Sequence, residues 1–143
     1  CSMIKIMSSF KNLVRQKFEE NFWRVTPAVL KVVHLLENAE KPLSVNQILG
    51  QIKPKINTTT VYRIFEKLLA IGGIHEIGGK YLLCSAPENK KEEHHFLICK
   101  KCGSAEEIFL NYRESIEKQL ATEKNFILYD VDLKFYGTCG SCR

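Results

Sequence analysis

Cys99 and Cys102 stand in the run ICKKCG, and Cys139 and Cys142 in TCGSC, with 36 residues between the two pairs. Each pair offers two thiolates from one short turn, and two such turns close a tetrahedral sulfur cage around one Zn²⁺. Glycine follows or interrupts each pair, as in a zinc knuckle. A loop of that length holds a folded element of its own, so the metal would staple the chain end onto an earlier strand. The competing readings are four free or disulfide-linked cysteines, a redox dithiol, or an iron–sulfur cluster. Two CxxC pairs in one chain favour a shared metal.

These thiolates must be held by a chain of 143 residues, 45% of them hydrophobic, enough for one domain or two small ones. A small domain with a thin core gains from a metal staple. No apolar run reaches membrane-spanning length and no signal peptide is evident. Six cysteines then point to a reducing compartment, the cytoplasm, with thiolates kept for metal; Cys1 is assigned no role. Residues 1–83 carry 12 Lys and Arg against 6 Asp and Glu, whereas residues 84–143 carry 9 against 10. A basic first half suits a nucleic-acid surface, although an ordinary solvated face would look the same by charge alone.

Apolar spacing predicts the elements. Phe10, Leu13, Val14 and Phe18 recur at helical intervals. Thr26 can cap a second helix with Pro27 in its first turn and Val29, Leu30, Val33 and Leu36 inward. Ser44 caps a short helix with Val45, Ile48, Leu49 and Ile52. Asn57 or Thr58 opens a fourth helix with Val61, Ile64, Phe65, Leu68 and Leu69 inward, stopped at Gly72 and Gly73. Residues 74–84 read as a hairpin turning at Gly78 and Gly79. Helix, short helix, turn, helix, hairpin is a winged helix-turn-helix, whose DNA-facing element is the helix before the wing. Residues 85–93 are polar and contain Pro87, as a linker does. Beyond them come a strand at HHFLIC, a second at AEEIFL, a helix over 112–124 through Ile116 and Leu120, and a long strand over 126–137. That unit has a small core and open strand edges, which predicts a homodimer. The expected architecture is therefore α+β: a winged-helix DNA-binding domain over 1–83, a hinge over 84–93, and a small α/β dimerisation and structural-zinc domain over 94–143.

Asn57, Thr58, Thr59, Thr60, Tyr62 and Arg63 open the predicted recognition helix. Threonine hydroxyls and a helix N-terminus suit phosphate oxygens. Tyr62 can stack on sugar or base, and Arg63 can reach phosphate or a guanine edge; the alternative is a core Tyr62 and a surface ion pair at Arg63. TVYR in that helix, the hairpin, a histidine segment, ICxxCG and a terminal GxCxxC together resemble the Fur family of metal-dependent repressors. RVTPAVLKVV is similar to that family's R-x-T-x-x-R-x-x-V/I-L opening, with Val29 or Leu30 where a second Arg is usual. The resemblance runs from about Arg24 to Cys142. It implies one structural zinc per chain on the four cysteines, a separate regulatory metal, and a dimer on double-stranded operator DNA.

The sensing site distinguishes the branches. Iron-type members carry a denser histidine cluster before ICxxCG; this chain has Glu93-His94-His95-Phe96, with Phe96 and Val131 where further His ligands are usual. The zinc-uptake-repressor branch is a closer match. Its pattern implies a second, regulatory zinc on His75, Cys84, His94 or His95, and Glu107. One thiolate, two imidazoles and one carboxylate suit four-coordinate Zn²⁺. Adjacent histidines on a strand face opposite ways, so only one of His94 and His95 ligates readily. The other, with Glu114 or Glu117, would be a third site; Asp130 and Asp132 are similar candidates. The implied function is zinc-dependent repression of zinc-uptake genes, with an iron-, manganese- or peroxide-responsive regulator as the alternative. No nucleophile–base constellation or phosphate loop points to an enzyme or a small organic substrate. A zinc-stapled interaction module without DNA binding is the remaining rival.

Overall fold

The computed structural model describes residues 2–85, 87 and 93–143, with side chains from residue 10 onward. Residues 86 and 88–92, most of the expected hinge, lie outside the described residues. Contacts divide the chain into two compact units, Cys1–Pro87 and Glu88–Arg143. Among the described residues no helix is long and apolar enough to cross a membrane.

The first unit runs α1 (Ser2–Glu20), α2 (Pro27–Glu37), β1 (Leu43–Ser44), α3 (Val45–Gln51), α4 (Thr58–Ala70), β2 (Ile74–Ile77) and β3 (Lys80–Leu83). Its helices start where side chains can take up their unpaired N–H groups. Thr26 accepts from the Val29 amide at 3.3 Å. Ser44 and Gln47 form a reciprocal capping box. Asn57 accepts from the Thr60 amide at 2.8 Å. α4 stops at Ala70, and Gly72, two residues on, has a φ of +70° in the left-handed region. Gly73 follows in close contact with the Phe10 ring, 3.2 Å from where a β-carbon would sit.

The core draws Phe10, Leu13, Val14 and Phe18 from α1, Val29, Val32, Val33 and Leu36 from α2, Val45 and Ile48 from α3, and Val61, Ile64, Phe65 and Leu68 from α4. Two expected core positions differ. Val32 takes the fully buried place and Leu30 is half-buried, because 3.6-residue periodicity places Val29, Val32, Val33 and Leu36 on one stripe. Leu69 is exposed, since the stripe of α4 already closes through Leu68. The wing is three-stranded, in the order β1-β3-β2. β1, absent from the sequence expectation, is only two residues long, too short for an alternating pattern to register. Gly78 and Gly79 both take positive φ in the hairpin turn, as a two-residue loop between twisted strands requires. Tyr81 stacks on Phe65 with ring centroids 4.0 Å apart, which fixes the wing to α4.

The second unit comprises β4 (His95–Cys99), β5 (Ala105–Ile108), α5 (Arg113–Lys124), β6 (Lys134–Gly137) and a 3-10 turn, Gly140–Cys142. The sheet order is β5-β4-β6, with β6 parallel to β4 and β5 antiparallel to it. The long strand expected over 126–137 is confined to its last four residues. β4, the strand β6 pairs with, begins only at His95, and its Phe96 amide bonds the Leu133 carbonyl at 3.2 Å, so residues 126–132 have no described strand beside them. β5 likewise stops at Ile108, short of the expected 110. Asn125, in the left-handed conformation, ends α5. Among the described residues of this unit only His95, Phe96 and Cys99 are buried, while Leu97, Phe109, Leu110, Phe126, Ile127, Tyr129, Phe135 and Tyr136 are exposed.

Candidate metal centres and recognition helix

β4 ends at Cys99 and turns back at once. Gly103, at φ +73°, lets its amide bond the Cys99 carbonyl at 2.9 Å, and the Cys99 amide bonds the Ser104 carbonyl at 2.9 Å. β6 ends at Gly137 beside this turn, and its carbonyl accepts the Lys100 amide at 2.9 Å. The chain then delivers Cys139 and Cys142, with the Cys142 amide bonded to the Cys139 carbonyl at 3.0 Å. Parallel pairing of β6 with β4 is thus what superposes two knuckles distant in sequence.

The four sulfurs lie within 4.8 Å of one another, and Cys102 and Cys139 are 3.8 Å apart. A tetrahedral zinc–thiolate site with bonds of about 2.3 Å has sulfur–sulfur edges of about 3.8 Å. All four are thiols rather than disulfides. Amide groups of Cys102 and then Cys139 hold the Cys99 thiol down to about 6, the Cys139 amide reaching its sulfur at 3.3 Å. The Ser104 hydroxyl, 3.1 Å from Cys102, is the largest influence lowering that thiol. Cys142 is pushed up to about 12 by hydrogen bonds with Cys139 and Cys102. A first thiolate therefore forms readily and a last one is opposed by its neighbours until a cation compensates it. Lys101 Nζ ties the knuckles by donating to the Cys142 carbonyl at 2.9 Å. These features fit a structural zinc.

The other predicted ligands form one pair within each unit. In the wing, His75 lies opposite Leu82, and Cys84 follows two residues later on the same face. The Cys84 amide continues the pairing to the Gly73 carbonyl at 3.0 Å, and the His75 and Cys84 ligand atoms come within 4.8 Å. In the second unit, Glu107 lies opposite Phe96, and His94 precedes Phe96 by two, so both share a face. His94 Nδ1 contacts the Glu107 carboxylate directly, and its ring meets Phe109 edge-on.

His95, the alternative ligand, points to the opposite face. It is completely buried, with Nε2 2.6 Å from the Tyr112 hydroxyl. The proposed third site does not assemble among the described residues: Arg113 Nε takes Glu117 at 2.5 Å, and Glu114 is exposed. The Asp130 carboxylate accepts from the Val131 amide at 2.9 Å, and Asp132 pairs with Lys134 at 3.2 Å. Sequence reasoning missed Tyr112, Arg113 and Ser104. An Arg and a Glu four residues apart in a predicted helix was the available signal for Arg113.

At the start of α4, Asn57 Oδ1 accepts both the Thr60 amide at 2.8 Å and the Thr60 hydroxyl at 2.7 Å. These two side chains shape the helix N-terminus. Thr58, Thr59, Tyr62 and Arg63 remain exposed, and Thr59, Tyr62 and Arg63 share one stripe opposite the buried Val61, Ile64 and Phe65. A helix N-terminus with an outward hydroxyl, phenol and guanidinium is equipped for phosphate and base edges.

Comparison with known proteins extends these observations. The ferric uptake regulation protein of Neisseria meningitidis is 30% identical, the match spanning 96% of this chain and 96% of the relative. The zinc uptake regulation protein of Escherichia coli is 27% identical over 83% of this chain and 72% of its own. A zinc uptake regulator solved in complex with zinc and DNA shares the fold, with a TM-score of 0.79 at 23% identity over 99% of this chain and 95% of that one. The family model described as the ferric uptake regulator family matches residues 20–136, and the chain belongs to that family.

Proposed function

We propose that this Fur-family metal-responsive regulator is a zinc-dependent repressor of zinc-uptake genes, acting in the cytoplasm as a homodimer on double-stranded operator DNA. The observation carrying the zinc assignment is the donor chemistry of two preformed pairs: His75 with Cys84 on the wing, and His94 with Glu107 on β4 and β5. Together they would hold a regulatory ion. Zinc supplies there a redox-inert centre that accepts one thiolate, two imidazoles and one carboxylate. A thiolate donor in the wing favours zinc over harder cations.

Each pair belongs to a different unit, so engaging all four side chains selects one arrangement of the chain from those it samples. The population shift is set by the difference in affinity between arrangements. The wing follows α4 directly, so the selected arrangement would set the recognition helices of a dimer at the spacing of successive major grooves. Thr58, Thr59, Tyr62 and Arg63 would meet the duplex. The four cysteines lie within one unit and would serve stability instead. The small core of that unit and its exposed aromatic residues support a homodimer.

Identity to iron regulators favours a second reading, an iron-responsive Fur-type regulator. Duplex binding measured in buffered Zn²⁺ and, anaerobically, in buffered Fe²⁺ decides between them. Binding activated at lower free zinc than free iron, each relative to its buffered cellular range, supports the zinc reading; activation by iron alone rejects it.

A further inference from the structure

His94 lies just outside the paired residues of β4, whose register begins at His95. The residues on both sides of it are secured through their side chains, and both reach the start of α5. His95 is buried against Tyr112, the rings 5.2 Å apart and Nε2 hydrogen-bonded to the hydroxyl at 2.6 Å. The second ring nitrogen, Nδ1, is buried with no hydrogen-bond partner among the described residues, so Tyr112 sets the ring's orientation. Glu93 receives Arg113 Nη1 and lies 3.7 Å from His95 Nε2. The same guanidinium donates to Glu117 from Nε at 2.5 Å and to the Tyr129 carbonyl from Nη2 at 3.0 Å. One arginine therefore joins the approach to β4, the first turns of α5 and the segment leading to β6.

Side chains alternate along extended backbone, so residues 93 and 95 face away from His94. Pinning both neighbours fixes the direction in which His94 meets Glu107 without contact to that pair. We propose that Tyr112 and Arg113 are positioning residues for the regulatory metal, presetting His94 through His95 and Glu93. This inference rests on the zinc reading above. It makes the start of α5 part of metal capture, a role distinct from providing a ligand.

The test is chelator competition for the second, exchangeable zinc of the full chain, with the four-cysteine zinc retained. Tyr112→Phe removes one hydroxyl and nothing else. The expected result is roughly tenfold weaker second-site zinc binding, the lower end of losses seen when partners behind metal ligands are removed. The four-cysteine zinc and duplex affinity at saturating zinc should be unchanged. Glu93→Gln, which keeps volume and removes the charge that Arg113 pairs with, should weaken the same site. In a His94→Ala background Tyr112→Phe should add nothing, which a general structural role would not produce. Unchanged second-site affinity in both Tyr112→Phe and Glu93→Gln, or additive loss in the His94→Ala background, overturns the proposal. A wild-type chain with no second exchangeable zinc overturns the zinc reading itself, and this proposal with it.

Discussion

Replacing Cys102 with serine should unfold the second unit while the first keeps its structure. The magnitudes follow from what each unit buries. The first has a core contributed by all four of its helices and its wing. Among its described residues the second buries Phe96, Cys99 and the polar His95. Burying one phenylalanine is worth about 1.5–3 kcal/mol. Structural zinc binding is worth about 10–16 kcal/mol, as large as the whole stability of an ordinary domain, about 5–15 kcal/mol. Cys102 and Cys139, 3.8 Å apart, form one edge of the sulfur cage. Losing the zinc with that sulfur therefore removes more than the unit's own packing can replace. Hydrogen exchange on the full-length variant resolves the two units separately. Amides of β4 and β6 should lose protection, those of α2 and α4 should keep it, and sedimentation should show monomer. Retained protection across β4 and β6 in a zinc-free Cys102→Ser chain would show that the second unit does not depend on the metal for its fold.

Two further predictions concern the first unit. Arg63→Ala should weaken duplex binding and lower the slope of log affinity against log salt by about 0.9 per protomer where the guanidinium meets phosphate; unchanged affinity removes Arg63 from the contact surface. Burial pushes the Glu37 carboxyl above the ordinary carboxylate value, outweighing the Lys11 ammonium 3.5 Å away. A raised folded-state value contributes stability in acid that is lost as pH rises through it. Glu37→Gln should therefore raise the melting temperature at pH 7 and have little effect below about pH 4, where the carboxyl is protonated folded or unfolded. An equal effect at both pH values contradicts the assignment.

Local chemistry made much of this fold legible. Thr26, Ser44 and Asn57 are capping residues in sequence and cap helices in the structure, because an N-cap depends on atoms three residues away. Gly78 and Gly79 announce their hairpin for the same reason. The four cysteines were readable by spacing, although only the β4–β6 pairing brings them together. What failed was non-local. Residues 126–133 have strand-like composition, and whether they pair depends on a partner strand that composition does not encode. Leu30 is the exception: helical periodicity already sets Val32 on the stripe with Val29, Val33 and Leu36, and Leu30 off it. His94 and His95 are chemically identical in the sequence; cross-strand register and Tyr112 separate their surroundings. The wing and β4 pairs were expected through family resemblance, since neither His75 nor Cys84 carries a distinctive local signal.

The proposed regulatory zinc site is separate from the four-cysteine staple and built on Cys84. Zinc per chain, measured by elemental analysis after mild chelation and zinc re-addition, tests it on wild type and Cys84→Ala in parallel. Two zinc ions are expected in wild type and one in the variant. One zinc ion in both, or two in both, contradicts it.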